Sequence, residues 1–414
     1  MNHRRVAALF LLFAWLAAAM AEATVRQAFL TSVAGPAVFA DWPNTALSGA
    51  AAADEVCQGL AATAAIPNAA NFRAWLSTST SDAYCRVQGL SGQRGTGCGG
   101  GPQPGAGPWQ LVDGRPFAAG LAELAVLNGV VFNPADVFET GTGNHWDRHY
   151  WTATEVDGTA DTLTCGDWTN PASGQGNLAG GRAAGTSLEW TAGQALSCDA
   201  TEHLLCLEAG GPGDALPPTE LPGALAFVTS QMGQGAFADL ASWPEAHGIA
   251  GRAGGDEVCQ TLAAAAKLPA PESFLAWLSV FPSDDAIDRL PVALSWKRID
   301  GVRIAVDKSD IADQILISAL NVTELGAYVA SQQVWTGTRF DGVSVSQDCV
   351  GWTSDLAAST GLVGVAMRRD WQWTDFTDYG CDIDRRIYCF STAPLLFWSD
   401  FERVGLARWS QVVN

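Results

Sequence analysis

Asp54-Glu55-Val56-Cys57-Gln58, followed by Ala74-Trp75-Leu76-Ser77, occurs twice: the second copy reads Asp256-Glu257-Val258-Cys259-Gln260 with Ala276-Trp277-Leu278-Ser279. Both anchors move by the same 202 residues, Cys57 to Cys259 and Trp75 to Trp277, which chance matches in an alanine-rich chain do not give. Each copy reads as a helix leading into a strand. Ser48 is placed to cap the first helix, where Val56, Leu60 and Ala64 fall at i, i+4 and i+8 on one face. Val258, Leu262 and Ala266 repeat that stripe. Phe72 to Ser77 and Phe274 to Ser279 then have the aromatic and aliphatic content of buried strands.

The duplication extends outward. Phe29-Leu-Thr-Ser recurs as Phe227-Val-Thr-Ser, Phe39-Ala-Asp as Phe237-Ala-Asp, and Trp42-Pro43 as Trp243-Pro244. Downstream, Trp151, Cys165 and Trp168 return as Trp335, Cys349 and Trp352 at a shift of 184, and Cys198 and Cys206 as Cys381 and Cys389 at 183. Asp113-Gly114 and Asp300-Gly301 are matching turn signals. Units of about 170 to 190 residues are far longer than solenoid repeats, so each is expected to be a globular domain with its own core. Helices early and short strands late give an α+β class.

The first 21 residues run from His3-Arg4-Arg5 through the apolar stretch Val6 to Ala18 into Ala19-Met20-Ala21, the pattern of a secretory signal peptide. Its apolar core is shorter than the ~20 residues of a membrane span, and no later run is longer. Domains are expected at 22–209 and 223–393, joined by the Pro/Gly-rich, semi-rigid linker 210–222 and followed by an aromatic-acidic tail at 394–414. Losing Arg4 and Arg5 with the leader takes the formal charge from −20 to −22. Only three lysines are present, Lys267, Lys297 and Lys308, which disfavours nucleic acid, polyanionic glycans and anionic membranes as partners. Ten cysteines behind a leader, with no Cys-x-x-Cys among them, read as disulfides. The first repeat holds six and the second four, so each domain can close its own bridges. Cys85 and Cys98 have no counterparts in the second repeat, and a staple across the Gly-rich stretch Ser91 to Pro108 is their simplest pairing; the other four in each domain leave three connectivities open.

Phe-x-Ala-Trp-Leu-Ser, Val334-Trp-Thr-Gly-Thr, Cys349-x-x-Trp352-Thr and the closing Ile387-Tyr-Cys389-Phe, in this order, resemble the C-type lectin-like fold, specifically its endostatin-like branch and bacterial relatives. The similarity covers about residues 25 to 209 and 223 to 392. It implies two tandem disulfide-stapled domains with nested bridges: Cys57 with Cys206 and Cys165 with Cys198, then Cys259 with Cys389 and Cys349 with Cys381. The Ala, Gly and Arg bias points to a bacterial host.

The Glu-Pro-Asn, Gln-Pro-Asp and Trp-Asn-Asp triplets that hold calcium in sugar-binding members of the wider fold are missing, so binding is expected to be calcium-independent. Asp307-Lys-Ser-Asp-Ile-Ala-Asp lacks the glycine and final glutamate of an EF-hand. His145 and His149 have the i, i+4 spacing of a zinc pair only if they lie on one helix, and the strand-like Tyr-Trp-Thr that follows argues for loop histidines. No nucleophile motif, metalloprotease motif or phosphate loop occurs, so no catalytic residue, metal ligand or cofactor is expected. Of the seventeen tryptophans, those matched between repeats belong in the core; Trp109, Trp146 and Trp296 are the candidates for an exposed sugar-stacking platform. Asp157 (with Asp161) and Asp341 (with Asp348) are the acidic candidates for ligand contact. The expectation is a secreted or surface-held, non-catalytic binding protein whose partner is an extracellular glycan or protein, with a structural or adhesive envelope role as the alternative.

Overall fold

The computed structural model describes residues 25–395, apart from 44, 128, 172–176, 215, 217–221 and 331–332. The expected leader, most of the tail and part of the linker lie outside the described residues. Two similar α+β units appear. In the first, strands β1 (Arg26–Leu30), β2 (Phe72–Ala74), β3 (Trp109–Leu111), β4 (Pro116–Ala118), β5 (His149–Trp151), β6 (Asn177–Arg182), β7 (Gln194–Ser197) and β8 (His203–Glu208) form one mixed sheet, joined by helix α1 (Gly49–Thr63). Its order is β4-β3-β1-β8-β5-β6-β7, with β2 also on β8. The second repeats the order with β9 (Ala224–Val228), α2 (Gly251–Ala265), β10 (Phe274–Ala276), β11 (Trp296–Arg298), β12 (Arg303–Ala305), β13 (Gln333–Trp335), β14 (Thr360–Val365), β15 (Thr377–Gly380) and β16 (Arg386–Ser391).

The last strand of each unit is its centre. All six residues of β8 are buried, and they alternate: Leu204 and Cys206 face the layer that contains α1, while Leu205 and Leu207 face a second apolar layer with Trp75, Trp109 and Trp190. Ile387 and Cys389 against Tyr388 and Phe390 repeat this two-sided burial. The middle of such a strand is apolar at every step because neither face meets water.

Each letter of the duplicated cassette has a task. Asp54 accepts from the Ala74 amide at 3.0 Å and pairs with Arg86 at 2.7 Å; Asp256 does the same with Ala276 at 2.8 Å and Arg289 at 2.5 Å. Val56 and Val258 enter the core, and Gln58 and Gln260 each donate to the carbonyl of the strand's first residue, Phe72 or Phe274, at 3.2 Å. The cysteines bridge to the central strand, Cys57–Cys206 and Cys259–Cys389. Cys165–Cys198, Cys349–Cys381 and the local Cys85–Cys98 complete the pairing, as expected. Ser48 does precede α1, but its hydroxyl makes no capping bond; Glu55 instead reaches back to the amides of Ala46 and Leu47 at 2.8 and 3.1 Å. The Asp-Gly signals close the β3–β4 and β11–β12 hairpins, with Gly114 and Gly301 at φ of 95° and 91°.

The bridges close within each unit, but the units are not joined by the linker alone. The segment after β6, Ala183 to Ser187, lies antiparallel to its own counterpart after β14, Ala366 to Asp370, with Gly185 bridged to Arg368. Thr186 N donates to Met367 O at 2.9 Å and Arg369 N to Ala184 O at 3.2 Å. At the shift of 183 these two bonds are mates, so the units meet about a local two-fold axis, as in an isologous interface. Farther out, Asp136 pairs with Arg369, and Asn321, the counterpart of Asp136, gives its amide to Thr186 Oγ1 and Ser187 Oγ at 3.1 Å each. Arg368 forms a bidentate pair with Glu189 through bonds of 2.9 and 2.7 Å. A Cβ on Gly185 would stand 2.5 Å from that of Glu189 in the same unit, so the local turn that brings Glu189 to the junction requires glycine.

Candidate functional site

Both units contain a turn that the L-amino-acid backbone resists. Cys165, Gly166, Asp167 and Trp168 have φ of 50°, 60°, 54° and 68°, and Cys349, Val350, Gly351 and Trp352 have 50°, 57°, 64° and 64°. One left-handed helical turn costs roughly 1–2 kcal/mol per non-glycine residue. The fold over-determines it: a disulfide fixes its first residue, and the indole Nε1 of its last donates to Ser77 O or Ser279 O at 2.8 Å. A carboxylate then ties the turn to the neighbouring loop. In the first unit Asp167 accepts from Ser79 N and Oγ, both at 2.7 Å; in the second Asp348, three residues earlier in the alignment, accepts from Phe281 N at 3.1 Å. The exposed chemistry differs. Where the first unit shows Gly166 and Ser79, the second shows Val350 and Phe281, 66% and 53% exposed.

The residues expected at a site fare differently. Trp109 and Trp296 are fully buried, which overturns their reading as an exposed platform. They are also counterparts, standing at the same register in β3 and β11 and donating Nε1 to Glu208 O at 3.0 Å and Ser391 O at 2.9 Å. Their match was hidden because the Cys98 loop lengthens the first unit and moves the shift from 202 to 187. Trp146 is half-buried on the loop that also carries Asn144. Asp157 closes a local turn onto Thr159 N at 3.0 Å, and Asp341 faces Arg339 at 3.4 Å. Asp161 accepts from Ala179 N at 2.5 Å and Asp348 caps Gly351 N at 3.0 Å. All four carboxylates therefore serve turns and strand ends. His145 stacks on Phe138 at 3.5 Å while His149 opens β5, so the two share no helix face. Among the described residues no three His, Cys, Asp or Glu side chains are grouped to hold a metal.

A cleft of about 220 Å³ opens beside the junction. Arg115 and Arg369 line it on either side of Asp136, Arg115 at 2.6 Å, and Asn144 accepts from Arg369 at 2.8 Å. Burial pushes the Arg369 guanidinium below its ordinary pKa, with Asp136 acting against the shift. Asp310 and Asp313 line the same cleft, both raised chiefly by burial. The cleft thus brings guanidinium and amide donors together with carboxylate acceptors.

Glu202, the residue before β8, and His149, the first of β5, lie 4.0 Å apart. Burial pushes Glu202 up to about 7 against the pull of Arg148, and burial with Arg182 and Arg368 pushes His149 down to about 4. The contribution of Glu202 is fully present below the ordinary carboxylate pKa and is lost as pH rises through about 7. That of His149 is present above the ordinary imidazole pKa and is lost as pH falls through about 4. Glu202→Gln is therefore expected to stabilise the protein at pH 8 by on the order of 2 kcal/mol and to change little at pH 4. Denaturant melts at the two pH values check this; equal effects at both would contradict it.

No protein-family model matches the chain, and no curated protein matches it. The junction residues were not foreseen. Their signal was the replacement of Ala184-Gly-Thr-Ser in one repeat by Met367-Arg-Arg-Asp in the other, charge standing against small uncharged residues at three successive alignment positions.

Proposed function

We propose that the chain is a non-catalytic extracytoplasmic binding protein built from two C-type lectin-like domains of the endostatin-like kind, at 22–209 and 223–393 behind a cleaved leader. The nested disulfides, helix to last strand around an inner bridge, support the family reading, because they are the pairings the resemblance implies. Five bridges suit an oxidising compartment, and among the described residues no helix is long and apolar enough to cross a membrane.

One observation carries the binding role: Val350, a β-branched residue, is held left-handed at φ 57° while its side chain is mostly in water. The turn serves the core through Cys349 and Trp352, but a β-branched side chain at its exposed second position, where the first unit has Gly166, does not, and such strain gathers where a surface is used. The loop ending in exposed Phe281 adjoins it through Asp348. The second unit's binding surface is thus the pair of loops carrying Phe281 and Val350, on a scaffold whose repeated residues are spent on packing.

Val350→Gly is expected to stabilise the protein by about 1 kcal/mol, the relief of left-handed strain less the added freedom of glycine in the unfolded chain. Chemical denaturation checks it. Binding is tested on a glycan and matrix-protein array, with and without EDTA, comparing the native chain with Phe281→Ser/Val350→Gly. Selective, EDTA-insensitive signals lost in the variant support this reading. A blank array with tight retention on the cell surface would replace it with a structural or adhesive role.

A further inference from the structure

The junction between the units is two-fold in its backbone but not in its charge. Two acidic side chains come from the first unit, Asp136 and Glu189, and two arginines from the second, Arg368 and Arg369. The symmetry mates of these pairs are neutral: Asn321 meets Thr186, and the counterparts of Glu189 and Arg368 are Gln372 and Gly185. All four charged side chains are nearly or wholly out of water, at 1%, 5%, 12% and 4% exposure for Asp136, Glu189, Arg368 and Arg369.

We propose that this junction is a pairing surface with built-in selectivity: each unit accepts the other kind and rejects its own. The frame would dock a unit onto its own copy equally well, because the antiparallel bonds of Thr186 and Arg369 use main-chain atoms that both units possess. Charge decides. In a pair of first units, Asp136 would face Thr186 and Glu189 would face Gly185, leaving them only the cations of their own unit, Arg115 at 2.6 Å and Arg182 at 3.7 Å. In a pair of second units, Arg369 would face Asn321 and Arg368 would face Gln372, with only the adjacent Asp370 of their own unit as a carboxylate. Each wrong pair loses both couples that cross the axis in the right pair, Asp136 with Arg369 and Glu189 with Arg368. Losing a buried couple weakens association by ~100-fold or more, so like pairs fall below the right pair by at least two orders of magnitude. The partner that fits the second unit's face is a surface presenting two carboxylates at the Asp136 and Glu189 positions, and in this chain the first unit supplies it.

The test uses the whole chain with a protease site placed in linker 210–222. After cutting, the halves are expected to remain together as a 1:1 complex at micromolar concentration in sedimentation. Cut complexes of ordinary and isotope-labelled protein are then mixed and followed by native mass spectrometry. Exchange is expected to give only species with one first half and one second half, of either label. Pairs of two first halves or two second halves at comparable abundance would overturn the proposal, and so would halves that separate on cutting. In a second arm, Arg368→Glu is expected to release the halves and Glu189→Arg in the same chain to rejoin them. Failure of the double variant to rejoin, with each half still disulfide-intact and folded by circular dichroism, would show that charge does not set the pairing.

Discussion

Asp136→Ala is expected to destabilise the protein by about 3–5 kcal/mol, because it leaves the Arg369 guanidinium buried without its carboxylate. The deletion also strips Arg115 of its 2.6 Å partner, although Arg115 keeps Asp113. Its site of action distinguishes it from an ordinary core defect. Each unit retains its own sheet and disulfides, so the loss is expected as separation of the units, with the linker cut faster by protease before either unit melts. Asp136→Ala combined with Arg369→Met should recover part of the loss, since no lone charge is then buried. A single melting transition for Asp136→Ala at the native midpoint, with unchanged linker cleavage, would contradict this account.

The second large effect is expected from Cys259→Ser/Cys389→Ser. This bridge spans 130 residues and ties α2 to the central strand of its sheet. In the chain-entropy model it contributes up to about 5 kcal/mol, an upper figure because residual structure in the unfolded chain reduces it. The second unit should therefore unfold well below the first, seen as a split thermal transition with the Cys165–Cys198 bridge intact by mass. Removing Cys85–Cys98 is expected to be milder. It closes 13 residues outside the sheet, so its loss loosens the loop and leaves the scaffold standing.

How far the sequence could be read depended on whether a position was shared or complementary. The cassette from Asp54 to Gln58 was legible because Asp, Val, Cys and Gln do the same work in both copies, and identity between repeats records that; only the glutamate changes partner, from the amides of Ala46 and Leu47 to His247. Trp109 and Trp296 share a task too, but an insertion moved one of them out of register, and matching at a fixed shift passed over them. The junction was illegible for a different reason. Its strongest contacts, Asp136 with Arg369 and Glu189 with Arg368, join non-equivalent positions, so comparing repeats for likeness discards the residues that hold the repeats together. Exposure at Phe281 and Val350 depends on which side of a turn faces water, and neither hydropathy nor spacing reports that.

The carboxylate that ties the left-handed turn to its neighbouring loop stands at Asp167 in one half and at Asp348 in the other, on alignment positions three apart. The two halves have thus drifted by exchanging which residue does the work. A genetic crossover between them that switched copies within this short interval would give either a turn with two competing acids or one with none. In the latter case the amide of the neighbouring loop loses its acceptor beside a strained backbone. Each half is consequently a poor source of spare parts for the other at this point, and the duplication is protected against being rewritten by its own twin.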